Sequence, residues 1–149
     1  QEHFAEPDLF RSLTVADYFF VKTLLFAKNN LNGEEFRLFR RLFRVLNASF
    51  PKPDLLIYLH RPVEVLQQQI RKRGRDMERL ISDAYLEELQ QAYLEHFKKE
   101  TEIPVVVLEL EDADFVKNEN VFAAIVDLLN QSYRAGVQYV SLKQIARAS

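Results

Sequence analysis

Apolar residues along the chain form two kinds of run, and each kind predicts one type of element. Three runs are short and apolar at nearly every position: residues 13–16, residues 55–60 ("LLIYLH") and residues 103–110 ("IPVVVLEL"). Such runs are typical of parallel strands that are covered on both faces. The tail from residue 137 ("VQYVSLK") predicts a further short strand.

Segments with a helical pattern separate these runs. Residues 18–30 are apolar on nearly all sides, which predicts a helix that is buried on more than one face. Residues 33–46 are amphipathic, and Asn32 and Glu35 have the spacing of a capping box at the start of this second helix. Its apolar face carries Phe36, Phe39, Phe43 and Leu46, and its basic face carries Arg37, Arg40, Arg41 and Arg44.

Three more helices are predicted in the second half of the chain. Pro62 fits the first turn of a helix that runs to about Lys72, and Gly74 fits its C-terminal break. Ser82 caps the next helix, and the last one ends at Gly136. The apolar stripe of the helix after Ser82 consists of Tyr85, Leu89, Tyr93 and Phe97. Strands that alternate with helices predict a single α/β domain over residues 1–149, built on a parallel sheet with right-handed crossovers.

The composition excludes several classes of function. The 149 residues include no Cys, which excludes disulfides and Cys-ligated metals, and the three histidines show no metal-ligand spacing. The formal net charge is -2, so the chain has no general attraction for nucleic acid or anionic lipid. No apolar run approaches the roughly 20 residues that span a membrane, and no signal peptide is visible. We therefore expect a cytoplasmic protein with neither a nucleic acid nor a membrane as partner.

Basic residues crowd around one glycine between positions 71 and 79. One interpretation is structural, because cations are favourable at a helix C-terminus and long basic side chains stay solvated. The other is functional, because the planar guanidinium groups on either side of Gly74 could bind phosphate oxygens from a mobile segment. The residues concerned are Arg71, Lys72, Arg73, Arg75 and Arg79.

Two other polar features also have two interpretations each. Asp17 follows the first predicted strand, and ligands gather at the carboxyl ends of parallel strands. The same residue could equally cap the helix that starts at Tyr18. The arginine face of residues 37–44 fits a solvated surface better than a nucleic-acid site.

Residues 53–97 resemble the deoxynucleoside kinase family, and most of all its bacterial deoxyadenosine and deoxyguanosine kinase branch. The resemblance is carried by the combined spacing of "PDLLIYL" at 53–59, "IRKRGRDME" at 70–78, and "YL" at 85–86 followed by Tyr93. It continues more weakly through "LTVADYFFVKTLLFA" and "LELEDADFVKN". It implies a three-layer parallel sheet of the P-loop kinase type. The implied reaction is ATP-dependent 5′-phosphorylation of deoxynucleosides with Mg²⁺, carried out by a homodimer.

The resemblance also implies roles for individual residues. The basic stretch would be a lid that closes over ATP, with Arg73 and Arg75 contacting the transferring phosphates. Asp17 would be the acidic member of the family's acid-Arg pair and a catalytic residue with these arginines. Glu78 would accept a hydrogen bond from the 3′-hydroxyl of the deoxyribose. Asp114 and Phe115 would lie in the loop near the adenine of ATP.

Two departures from the family pattern bear on activity. Tyr18 stands where the acid-Arg pair has its Arg, and Lys22 is the candidate substitute cation. No glycine in the sequence is followed by Lys and then Ser or Thr, so the P-loop is missing, as is the general base that accompanies it. We expect the chain to be the C-terminal portion of a kinase and to be inactive alone. The alternative is a non-catalytic dimerisation or regulatory module, with a folate-pathway pyrophosphokinase as a possible fusion partner.

Overall fold

The computed structural model describes residues 13–16, 21–48, 52–111 and 117–142. The chain divides into two units, Gln1–Lys52 and Pro53–Ser149. The first unit contains α1 (Val21–Asn30) and α2 (Gly33–Asn47). The second contains β1 (Leu56–His60), α3 (Val63–Arg73), a 3-10 turn (Asp76–Glu78), α4 (Asp83–Phe97), β2 (Pro104–Glu109), α5 (Glu119–Leu129) and β3 (Gly136–Ser141). Within the described ranges, no helix has both the length and the apolar character needed to cross a bilayer.

The start of α2 is set by the predicted capping box. Asn32 is extended, with φ -68° and ψ 170°, and its Oδ1 accepts hydrogen bonds from the backbone N–H groups of Glu34 and Glu35. In return, Glu35 Oε2 accepts from the backbone N–H of Asn32 at 3.0 Å. These bonds satisfy N–H groups that have no partner inside the helix, so the local sequence is enough to start α2.

The predicted strand at residues 13–16 is wrong. These residues adopt no strand, and the side chains of Leu13 and Val15 are 68% and 74% exposed. A short apolar run becomes a strand only when a neighbouring strand pairs with its backbone groups, and the sequence of the run does not provide that neighbour. The helix predicted for residues 18–30 is present from Val21 onward, and its first three positions lie outside the described residues.

The sheet of the second unit confirms the predicted α/β class. Its strand order is β1-β2-β3, and both pairings are parallel. The register aligns Tyr58 with Val107 and Val107 with Tyr139. The central strand β2 is the most deeply buried, because its neighbours satisfy its backbone on both sides while helices cover its faces. The tail strand predicted after residue 136 is therefore confirmed as β3.

Helices cover both faces of this sheet. On one face, Tyr58 of β1 contacts Tyr93 and Phe97 of α4, with both pairs of ring centroids 5.2 Å apart. On the other face, Leu108 of β2 packs with Leu128 of α5 in the buried core cluster. Tyr58 is aligned with Val107, the residue before Leu108. Because successive residues of a strand point to opposite faces, Tyr58 and Leu108 face opposite ways, and α4 and α5 lie on opposite sides of the sheet. The result is the expected three-layer arrangement.

The sequence predicted the C-terminal end of α3 correctly but not that of α5. The break of α3 at Gly74 is confirmed, since Gly74 adopts the left-handed conformation with φ 66°. The predicted end of the last helix at Gly136 is wrong, because α5 already ends at Leu129 and Gly136 instead begins β3 with φ 92°. The polar segment between them, from Asn130 onward, carries no apolar stripe that would extend the helix.

Candidate functional site

The site lies on the turn that connects α3 to α4. Helix α3 ends with three successive basic residues in its last turn, where positive charge is favourable next to the free carbonyl groups. Gly74 then reverses the chain, and its N–H donates to the carbonyl of Ile70 at 3.2 Å. The reversal places Arg73 before the glycine and Arg75 after it, both next to the 3-10 turn that carries Glu78.

A single carboxylate oxygen of Glu78 accepts hydrogen bonds from both Arg73 and Arg75. Arg73 Nη1 donates to Glu78 Oε1 at 3.2 Å, and Arg75 Nη1 donates to the same oxygen at 3.3 Å. The side chains of Arg73 and Arg75 are 49% and 64% exposed, whereas that of Glu78 is 20% exposed. The other oxygen, Glu78 Oε2, is buried and has no hydrogen-bond partner in the described part of the chain. The arrangement therefore combines two solvent-facing guanidinium groups with a carboxylate that keeps one acceptor free.

The other two arginines of the basic stretch lie apart from this pair. Arg79 Nη2 is 3.1 Å from Asp76 Oδ1, and both side chains are exposed. Arg71 and Arg79 line a groove of about 760 Å³ between the end of α3 and the start of α4. Ile70 and Ile81 line the same groove. Arg71 thus lies in the last turn of α3 and Arg79 pairs with Asp76 of the 3-10 turn, whereas Arg73 and Arg75 converge on Glu78.

The structure brings together three of the six residues predicted for the site, namely Arg73, Arg75 and Glu78. The other three predictions, Asp17, Asp114 and Phe115, lie outside the described residues, as does Tyr18. Among the residues that are described, no group of three or more His, Asp or Glu side chains could hold a metal ion. The described part of the candidate site therefore consists of two guanidinium groups and one carboxylate.

Sequence reasoning missed the ion pairing of Glu78. The spacing contained the signal, because Arg75 and Glu78 are three residues apart and Asp76 and Arg79 are also three apart, the separation at which side chains meet on one helical turn. Chemically, guanidinium N–H groups bind phosphate oxygens through charge-assisted hydrogen bonds, and a carboxylate oxygen accepts a bond from a hydroxyl group.

A half-buried pair of stacked tyrosines, Tyr58 and Tyr93, joins β1 to α4. Burial and, to a smaller extent, the neighbouring Tyr93 together raise the pKa of Tyr58 to about 12. Burial likewise raises the pKa of Tyr93 to about 12. Both phenols therefore stay neutral at physiological pH, and their rings contribute to the packing of α4 on β1. Burial also lowers the pKa of His96, one turn from the pair.

The comparison with protein families identifies the chain. The family described as deoxynucleoside kinase matches residues 6–133, which is most of the sequence. This chain belongs to the deoxynucleoside kinase family. The match agrees with the resemblance found at residues 53–97 and with the parallel α/β sheet.

Individual relatives are similar over part of their length. The deoxyguanosine kinase of Bacillus subtilis (strain 168) is 30% identical over 115 residues, which cover 74% of this chain and 56% of that protein. The deoxyadenosine/deoxycytidine kinase of the same strain is 34% identical over 102 residues, covering 67% and 47%. The deoxyadenosine kinase of Lactobacillus acidophilus (strain ATCC 700396 / NCK56 / N2 / NCFM) is 26% identical over 135 residues, covering 81% and 63%. The chain thus spans about half the length of the first two relatives.

Proposed function

We propose that this chain is the part of a deoxynucleoside kinase that supplies the lid and substrate-side elements for ATP-dependent 5′-phosphorylation of a deoxynucleoside. The observation that carries the proposal is the convergence of Arg73 and Arg75 on Glu78, on one turn and within about 3.3 Å. The family match and the names of the relatives support a deoxynucleoside as the acceptor.

Three residues of this turn, Arg73, Arg75 and Glu78, have roles in the proposed reaction. The 5′-oxygen of the deoxynucleoside bonds to the γ-phosphorus of ATP, the bond from that phosphorus to the bridging oxygen breaks, and ADP leaves. Arg73 and Arg75 bind the charged phosphate oxygens, because phosphoryl transfer depends on positioning and charge stabilisation. Glu78 accepts a hydrogen bond from the 3′-hydroxyl and fixes the sugar. We propose that Mg²⁺ enters bound to the phosphates of ATP.

Three further assignments rest on the family motif alone. We propose that Asp17, which directly follows residues 13–16, is a catalytic residue. We also propose that Asp114 and Phe115 contact the adenine of ATP. The general base that takes the proton of the 5′-hydroxyl has no candidate in this sequence, and neither does the phosphate-binding Gly-Lys-Ser/Thr loop. The reaction as proposed therefore belongs to a parent protein that contains this chain.

The test assays the protein of the full reading frame that contains residues 1–149. ATP, Mg²⁺ and each of the four deoxynucleosides are supplied in turn, and formation of the 5′-monophosphate is measured. Arg73→Ala and Arg75→Ala should each lower kcat by roughly 30- to 1,000-fold, which corresponds to about 2–4 kcal/mol of lost transition-state stabilisation for one preorganised donor. Asp76→Asn, in the same turn, is the matched control and should leave kcat within about twofold, since exposed ion pairs contribute little.

The second candidate function is a non-catalytic dimerisation or regulatory module, with a folate-pathway pyrophosphokinase as the candidate fusion partner. The observation that favours it is Tyr18, which follows Asp17 where the family pattern has Arg. A folded full-length protein that forms no monophosphate from any deoxynucleoside would support this candidate. Residues 1–149 alone should form no ADP in either case, and deoxynucleoside-dependent ADP formation by the pure chain would contradict the proposed division of the site.

We propose that the protein is a homodimer. Helix α2 leaves Leu38, Leu42 and Val45 exposed on one stripe, at helical spacings of four and three residues, while Phe43 is buried. An exposed apolar stripe of this kind is an aggregation liability unless another surface covers it. Sedimentation of the chain at micromolar concentration should therefore show a dimer, and Leu38→Glu should shift it towards monomer. A wild-type chain that sediments as a monomer would refute the dimer.

A further inference from the structure

Glu78 occupies the position that an anionic ligand of Arg73 and Arg75 would take. Its Oε1 lies 3.2 Å from Arg73 Nη1 and 3.3 Å from Arg75 Nη1, so one negative charge serves two positive ones. The carboxylate is the most buried member of the three, and both guanidinium groups have about half or more of their surface in solvent. An incoming phosphate would therefore reach both arginines from solvent and compete with Glu78 Oε1 for their N–H donors.

Two properties make this carboxylate displaceable. Ion pairs with exposed partners are weak, because water and salt screen the attraction. In addition, Glu78 Oε2 is buried without a hydrogen-bond partner among the described residues, which raises the free energy of the carboxylate in its present position. Phosphate oxygens can instead bind each guanidinium through two parallel charge-assisted bonds, and they repel a carboxylate that remains close by.

We infer that Glu78 is an internal counter-ion, which competes with phosphate oxygens for Arg73 and Arg75 and is released when an oligophosphate binds them. The inference rests on the proposed function, because it describes the regulation of the same site. When the arginines release Glu78, its Oε1 no longer accepts their hydrogen bonds. This oxygen can then accept a hydrogen bond from the hydroxyl group of a second ligand. Phosphate binding and hydroxyl binding then favour each other, and thermodynamic linkage makes this coupling reciprocal.

The test uses inorganic tripolyphosphate as the probe and residues 1–149 as the protein. Glu78→Gln keeps the shape of the side chain and removes its charge. Asp76→Asn is the matched control, because it removes the same unit of charge from the same 3-10 turn, while Asp76 contacts Arg79 and neither of the other two arginines. The double variant Arg73→Gln/Arg75→Gln removes the proposed phosphate ligands. Titration calorimetry at low salt gives the dissociation constant of tripolyphosphate for each protein.

Glu78→Gln should bind tripolyphosphate about 2- to 30-fold more tightly than wild type, the range that corresponds to releasing two exposed ion pairs. Asp76→Asn should stay within about twofold of wild type, because the charge that it removes is exposed and pairs elsewhere. The double arginine variant should lose the binding. In wild type, the carboxyl-carbon resonance of Glu78 should shift during the titration with the same midpoint as the heat signal, a readout that needs no variant to fold.

The outcomes separate this inference from the proposed function. Equal tightening in Glu78→Gln and Asp76→Asn would mean a general charge effect and would overturn the inference. Equal affinity of wild type and Glu78→Gln, with binding lost in the double arginine variant, would also overturn it, while the phosphate role of the arginines would stand. Binding that persists in the double arginine variant would remove the phosphate role from the proposed function, and the inference with it.

Discussion

Gly74→Ala measures how strongly the end of α3 depends on a left-handed residue. Gly74 has φ 66° and ψ 24°, and a Cβ at this position would meet nothing within 4 Å. The substitution therefore adds no steric clash, and the backbone conformation alone sets its cost. An L-residue in this conformation costs roughly 1–2 kcal/mol. The lower entropy of the unfolded Ala chain offsets about 0.4–1 kcal/mol of that. We expect a net loss of about 1 kcal/mol, in the middle of the resulting range.

The assay is urea unfolding of residues 1–149, monitored by far-ultraviolet circular dichroism. A loss of about 1 kcal/mol raises the unfolding constant about fivefold and lowers Tm by roughly 2–4 °C for a chain of this size. Gly74→Asn is the matched variant at the same position and should lose less, because Asn tolerates the left-handed region. Gly33→Ala is the second control, since this helical glycine also has open space around its Cβ and no positive φ. It should stabilise the chain by up to about 1 kcal/mol.

A Gly74→Ala protein that is as stable as wild type would refute the argument, because it would mean that the turn adopts another conformation at no cost. The same variant also tests the site. If Ala moves the chain out of the left-handed conformation, the guanidinium groups of Arg73 and Arg75 no longer converge on one point. One tripolyphosphate could then not bind both of them, so its affinity should fall in Gly74→Ala and be retained in Gly74→Asn.

The cap of α2, the tyrosine pair and the centre of the sheet each give a further expectation. Asn32→Ala should destabilise α2 by about 1 kcal/mol and speed amide exchange in its first turn, and Asn32→Ser should not; unchanged exchange would contradict the cap. The pKa values of Tyr58 and Tyr93 are raised to about 12, above the unfolded value of about 10, so their stabilising contribution is complete below pH 10 and is lost as the pH rises towards 12. Phenolate absorbance should show these two tyrosines ionising last, and Tyr58→Phe should remove one of the two late-ionising groups. Full ionisation of all six tyrosines near pH 10 would contradict the burial of this pair. Leu108→Ala, at a position with no solvent exposure, should cost about 2–5 kcal/mol in urea unfolding, and a cost below 1 kcal/mol would contradict the central place of β2.

The sequence by itself determined the features that depend on a few neighbouring residues. Asn32 with Glu35, Ser82 and Gly74 mark helix ends, and each acts through hydrogen bonds or a backbone conformation within about four positions. The apolar runs of β1 and β2 also predicted strands correctly, because parallel strands inside a sheet are apolar at nearly every position. In the structure only the central β2 is largely buried, and Leu59 of β1 is 44% exposed. The combined spacing of the motifs within residues 53–97 was enough to predict the family.

Only the tertiary structure decided the features that need a partner distant in sequence. Residues 13–16 have the composition of a strand but pair with no strand in the described part of the chain, whereas β3 becomes a strand because β2 lies beside it. Tyr58 and Tyr93 stack only because α4 folds back over β1, and this burial raises both pKa values. The sharing of one Glu78 oxygen by Arg73 and Arg75 also depends on geometry, because the reversal at Gly74 sets the distance of each guanidinium from the carboxylate. Composition predicts which groups are charged, and the fold decides which of those charges meet.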